Sequence, residues 1–125
     1  MERILLIDDD KYVRDSLTLT LETAGYSVTE ASNTQEGLNH HREAPANVLI
    51  TDVITLEHSG LEPIRVLREQ SPTIPIIAIS GTVYSNEEEE VEFDRTLGPV
   101  CTLQKPFTVD ELLSTVKTVL PHSCA

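Results

Sequence analysis

Short, almost wholly apolar runs recur along this chain, and each is followed by a stretch with helical spacing. Arg3 to Ile7, Val48 to Thr51 and Ile74 to Ile79 lack the polar alternation of a half-exposed strand, so they read as strands buried on both faces. Val13, Leu17, Leu21 and Ala24 share one stripe of a helix that stops at Gly25. Tyr26 to Ala31 alternates apolar with polar residues, as suits a sheet edge, and Asn33 with Glu36 makes a capping-box pattern opening a helix through Arg42. Ser59-Gly60 starts a third helix with Leu61, Ile64 and Leu67 inward, Pro63 in its first turn and its end near Gln70. An acidic helix from Glu87 to Thr96 is expected after the most apolar strand. Cys101 to Gln104 reads as a short last strand, and Thr108 with Glu111 is a second capping box before Leu112, Leu113, Val116, Val119 and Leu120. Five alternating βα units require right-handed crossovers and therefore a parallel, doubly wound sheet with helices on both faces.

Composition narrows the functions open to such a fold. The 125 residues suit a single domain, with no repeat or low-complexity linker to divide it. A net charge of -12 with only nine Lys and Arg argues against direct binding of nucleic acid or anionic membranes. No run approaches a membrane helix, and Met1-Glu2-Arg3 leads straight into a strand, so a soluble, cytoplasmic protein is expected. Cys101 and Cys124 have neither metal-ligand spacing nor a disulfide framework and are expected to be free thiols.

The carboxyl ends of parallel strands form the ligand crevice, so residues at those ends become neighbours whatever their separation in sequence. Here they are Asp8 and Asp9, Asp52, Ser80 and Lys105. Three carboxylates at close quarters are costly unless a hard cation or protons neutralise them, and Mg²⁺ is the natural choice, with Mn²⁺ acceptable. Mg²⁺ held by so few protein oxygens implies a phosphoryl ligand. Asp52 is then placed to attack phosphorus as a carboxylate nucleophile, while Lys105 and Ser80 contact the phosphoryl oxygens.

The chain resembles the receiver domain of bacterial response regulators, the chemotaxis-regulator-like modules of two-component signalling. The resemblance rests on Ile4-Leu5-Leu6-Ile7-Asp8-Asp9-Asp10, on Leu49-Ile50-Thr51-Asp52 with Gly60 eight residues later, on Ile77-Ala78-Ile79-Ser80-Gly81, and on Lys105-Pro106-Phe107-Thr108. It implies a flavodoxin-like (βα)5 fold with strand order 2-1-3-4-5, a receiver domain over residues 1–121 and a frayed tail over 122–125. It further implies phosphorylation of Asp52 by a phosphohistidine of a sensor histidine kinase or histidine phosphotransfer protein. Asp9, Asp52 and the backbone carbonyl of Ile54 would bind Mg²⁺ directly, and Asp8 through water. Lys105 and Ser80 would contact the phosphoryl group, Gly60 would be structural, and the Lys105-Pro106 bond would be cis. The signal would pass by contact to a downstream protein that the sequence does not identify, from a monomer or weak dimer.

The chain also departs from the family pattern. Leu56 stands where a proline is usual, and the span from Ser80 to Lys105 is about three residues longer than common. Thr102 replaces the aromatic residue that normally partners the switch serine, with Tyr84 the candidate substitute. Two rival readings follow: a degenerate receiver serving as a constitutive docking module, and a haloacid-dehalogenase-type phosphohydrolase. The hydrolase needs a second aspartate where Ile54 stands, and an acidic triad is costly to keep in a module that binds no cation. Asp10 is assigned to the helix dipole alone, and Glu87 to Glu90, Glu92 and Asp94 to a solvated helix start. His40 and His41 read as exposed helical residues and His58 as a solvated loop residue, none with a role.

Overall fold

Each long apolar run becomes a strand. In a computed structural model describing residues 2–80 and 100–120, the elements run β1 (Arg3–Ile7), α1 (Lys11–Thr23), β2 (Ser27–Ala31), α2 (Thr34–Glu43), β3 (Val48–Asp52), α3 (Val53–Ser59), α4 (Glu62–Gln70), β4 (Ile76–Ser80), β5 (Cys101–Gln104) and α5 (Val109–Val119). The strands pair in parallel in the order β2-β1-β3-β4-β5, the flavodoxin-like arrangement expected. β3 and β4 are buried throughout, whereas the β2 edge is half-buried and so accommodates Ser27, Thr29 and Glu30.

Strand side chains alternate between faces, which divides the core in two. On one face Ile4, Leu6, Ile50, Ile77, Ile79 and Leu103 pack against Leu17 and Leu21 of α1 and against Leu112 and Val116 of α5. On the other, Leu5, Ile7, Leu49 and Ile76 meet Leu38 of α2, Leu56 of α3, and Ile64 and Leu67 of α4. Each side chain so removed from water contributes about 1.5–3 kcal/mol, which fixes every helix to its face. α2 approaches most closely: a Cβ on Gly37 would lie 2.4 Å from Ile7 Cδ1.

Helix ends follow local chemistry. Asp10 caps α1 by accepting from the amides of Tyr12 and Val13, Asn33 caps α2 by accepting from Glu36, and Thr108 with Glu111 completes the capping box of α5. The box foreseen at Asn33 is only half made, because Glu36 accepts from the Ser32 hydroxyl instead. Gly25 leaves α1 at φ 100° and Gly60 follows α3 at φ 96°, conformations that favour glycine.

Several sequence expectations need correction. The interval between Asp52 and Ser59, expected to be loop, is helix α3, so residue 58 belongs to a helix. Leu56 accounts for this. A proline there would bring no amide to the first turn of a helix, whereas leucine brings one and is fully buried. The next helix consequently starts at Glu62 rather than at Ser59-Gly60. β4 begins at Ile76 because Pro75 has no amide to donate, although its carbonyl accepts from Leu49 at 3.0 Å. His41 is buried, not exposed: its Nδ1 accepts from the Ala46 amide at 3.1 Å and its Nε2 lies 2.7 Å from Ser71 Oγ. The Glu87–Thr96 helix, Tyr84, Cys124 and the tail lie outside the described residues, while Cys101 is a free, exposed thiol.

Candidate functional site

β1 and β3 are neighbours in register, with Ile7 opposite Thr51, so the residues just beyond them meet at one end of the sheet. Asp8, Asp9 and Asp52 each present a carboxylate oxygen there, all within 4.8 Å of one another. Asp8 and Asp52 are buried and Asp9 is exposed, an arrangement open to solvent on one side. Ser80 ends β4 and is buried, and the Lys105 amide donates to its carbonyl at 2.8 Å, tying the end of β5 to the end of β4. The Lys105-Pro106 bond is cis.

Main-chain contacts hold the acidic loop. Asp8 Oδ1 accepts from the Asp10 amide at 2.8 Å, and Arg14 donates to the Asp8 carbonyl at 2.7 Å while its Nε lies 3.6 Å from Glu30 on the edge strand. The Asp9 amide donates to Thr55 Oγ1 at 3.1 Å, and Thr55 is 1% exposed. Arg14 and Thr55 are parts of the site that sequence reasoning missed. The available signal for Arg14 was a cation one turn beyond the helix cap Asp10; Thr55 offered none.

Burial pushes the Asp8 carboxyl above its ordinary value. The Asp10 amide opposes this, the charge of Asp52 adds to it, Lys105 opposes it again, and Asp9 adds a smaller push. A carboxyl held unfavourably beside two others is the environment a hard cation relieves, so the donor set Asp8, Asp9 and Asp52 fits Mg²⁺. The Ile54 carbonyl does not fit in the same way. Ile54 is the second residue of α3, and helical carbonyls point along the axis away from the amino-terminal end. Instead its amide faces the cluster and donates to Asp52 Oδ1 at 3.2 Å.

Thr102 lies opposite Ala78, two residues before Gln104, the register partner of Ser80. Thr102 is therefore on the same sheet face as the residue paired with Ser80 and is exposed, without an aromatic ring to bury. Gly60 contributes structurally: the Thr34 hydroxyl donates to its carbonyl at 2.9 Å, joining the start of α2 to the end of α3.

In a doubly wound parallel sheet ligands bind outside the carboxyl ends of the strands, and here that edge carries an acidic cluster suited to a metal ion. Comparison with known proteins gives the family. The model of the response regulator receiver domain matches residues 4–117, and the chain belongs to that family, the receivers of two-component signalling. The response regulator receiver protein CpdR of Brucella abortus is 33% identical over 122 residues, covering 96% of this chain and 98% of that protein. The response regulator MprA of Mycobacterium leprae is 35% identical over 118 residues, covering 94% of this chain but 50% of that protein. The chain thus spans about half the length of several curated relatives, among them a probable transcriptional regulatory protein of Picosynechococcus at 49%. The crystallised chemotaxis protein CheY4 of Vibrio cholerae superposes with a TM-score of 0.84 at 30% identity, covering 96% of this chain and 99% of that one. Receivers are signalling modules rather than enzymes turning over external substrates. No described helix is long and apolar enough to cross a membrane.

Proposed function

We propose that this receiver takes a phosphoryl group onto Asp52 from a phosphohistidine of a sensor kinase or phosphotransfer protein, in a Mg²⁺-dependent step, and signals through altered protein contacts. One observation carries the reading: three carboxylates within 4.8 Å of one another where the ends of β1 and β3 meet. Asp9 and Asp52, helped by Asp8, would hold a cation, which would supply charge neutralisation at the phosphoryl oxygens. The chain's own residues do the rest. A carboxylate oxygen of Asp52 forms the new bond to phosphorus as the phosphorus–nitrogen bond breaks, and the departing imidazole nitrogen keeps the electron pair. The Lys105 ammonium and the Ser80 hydroxyl donate to the phosphoryl oxygens. Arg14 and Thr55 keep the Asp8-Asp9 main chain in place meanwhile.

The surroundings suit a protein donor. Tyr12, Ile54 and Val109 are 86%, 45% and 55% exposed, and they stand in the first turns of α1, α3 and α5, which all begin at the site's end of the sheet. Exposed apolar residues around an acidic pocket favour docking of a partner's apolar helical surface.

The reading is tested by incubating wild type and Asp52→Asn with Mg²⁺ or Mn²⁺ and acetyl phosphate, then measuring intact mass and phosphate release. A single phosphoryl group that requires both Asp52 and the cation is expected. Unlabelled protein with no cation response would establish the docking module instead, and sustained many-turnover release would establish a hydrolase.

A further inference from the structure

The first turn of α3 and the acidic cluster make conflicting demands on the same atoms. Asp52 is the amino-terminal cap of α3, with Oδ1 accepting from the Ile54 amide at 3.2 Å. The Ile54 carbonyl, which the family resemblance assigns to the cation, is directed along α3 toward residue 58. A cation that takes Asp52 Oδ1 competes with the cap, and one that takes the Ile54 carbonyl requires that peptide to leave the helix. α3 has seven residues, so losing one turn removes much of it.

α3 is also connected beyond the site. Thr55 receives the Asp9 amide at 3.1 Å, Ser59 Oγ donates to the Thr55 carbonyl at 2.6 Å, and the Thr34 amide donates to Ser59 Oγ at 3.3 Å. Thr34 is the first residue of α2 and is fully buried. Hydrogen bonds therefore run from the acidic loop through α3 to α2, on the sheet face opposite the α1 and α5 core.

We propose that cation loading and the first turn of α3 are mutually exclusive, so that Mg²⁺ unwinds residues 53–55 and carries the state of the site to the start of α2. This rests on the Mg²⁺ reading above. Such a route does not pass through position 102, where this chain carries Thr102 in place of the family's usual aromatic residue.

The test uses Mg²⁺ alone with the full chain, followed by amide hydrogen exchange and calorimetric titration of wild type, Ile54→Gly and Ile54→Ala. Position 54 is exposed, so both variants should fold, and both keep the carbonyl. Mg²⁺ should remove protection from the amides of Ile54 and Leu56 and alter that of Thr34. Glycine weakens the helix relative to alanine by an amount corresponding to about fivefold in an equilibrium, so Ile54→Gly should bind Mg²⁺ about fivefold more tightly than Ile54→Ala. Mg²⁺ binding that perturbs Asp9 and Asp52 while α3 protection stays unchanged, with equal affinities in the two variants, overturns the inference and spares the metal reading. No Mg²⁺ response in any of the three proteins overturns both.

Discussion

Lowering the pH from 7.5 to 5.5 should destabilise this protein through His41, a buried imidazole. His41 is 4% exposed, and its Nδ1 accepts from the Ala46 amide, so its Nε2 carries the proton shared with Ser71 Oγ. A second proton would put an N–H against the Ala46 N–H in a site with little solvent, and burial accordingly holds the imidazole below its ordinary value of 6.5. The sign follows from linkage. Above 6.5 the ring is neutral in both folded and unfolded chains, and stability is full; as pH falls through 6.5 the unfolded chain gains a proton that the folded one resists, and stability drops. At pH 5.5 the loss reaches at most about 1.4 kcal/mol, a shift of roughly 1 M in a urea midpoint for a domain of this size. Glu36 and Glu62 are held below their ordinary 4.5, by the Ser32 hydroxyl and by Arg65 respectively, so their contributions are lost only below that value. Urea melts of wild type and His41→Gln at both pH values isolate the effect. Wild type should lose more than the variant, by up to about 1 M, and parallel losses in the two proteins would refute the argument.

Three further perturbations test the fold and the site. Asp52→Ala should be less stable than Asp52→Asn by about 1 kcal/mol, because asparagine still caps α3 and alanine does not; equal urea midpoints would show that Asp52 is no cap. Arg14→Ala should weaken Mg²⁺ binding about tenfold by releasing the Asp8 carbonyl, read by calorimetry because the chain has no tryptophan, and an unchanged affinity would dismiss Arg14 as a positioning residue. Gly37→Ala gains about 1 kcal/mol of helix propensity but places a methyl 2.4 Å from Ile7 Cδ1, where atoms ordinarily keep about 3.5–4.0 Å. Ile7 is fully buried, so the overpacking should win by about 1 kcal/mol, and a raised urea midpoint would show that Ile7 can yield.

The strands and the acids were legible for a shared reason. A parallel strand buried on both faces needs four or five consecutive apolar residues, and the polar residue that ends it stands in the crevice. α3 was not legible: Val53-Ile54-Thr55 is β-branched, Val53 and Leu56 are its only described apolar core residues, and its cap, Asp52, has another evident use. Periodicity needs more turns than that to register. Arg14 and Thr55 act through hydrogen bonds to main-chain groups of Asp8 and Asp9, and Thr55 does so across 46 positions. No local pattern records such a contact. His41 was misread because helical position alone does not tell that Ser71 and Ala46 close over it.

The strand order has a consequence for when this molecule can first act. Asp8 and Asp9 follow the first strand, Asp52 ends the third, and Lys105 follows the fifth, which among the described residues pairs only with β4. A ribosome-bound chain that has released three strands already owns its carboxylates but not its lysine. On the proposed reading, competence to take a phosphoryl group arrives in one step with the last strand, and a half-synthesised copy is no acceptor for a kinase.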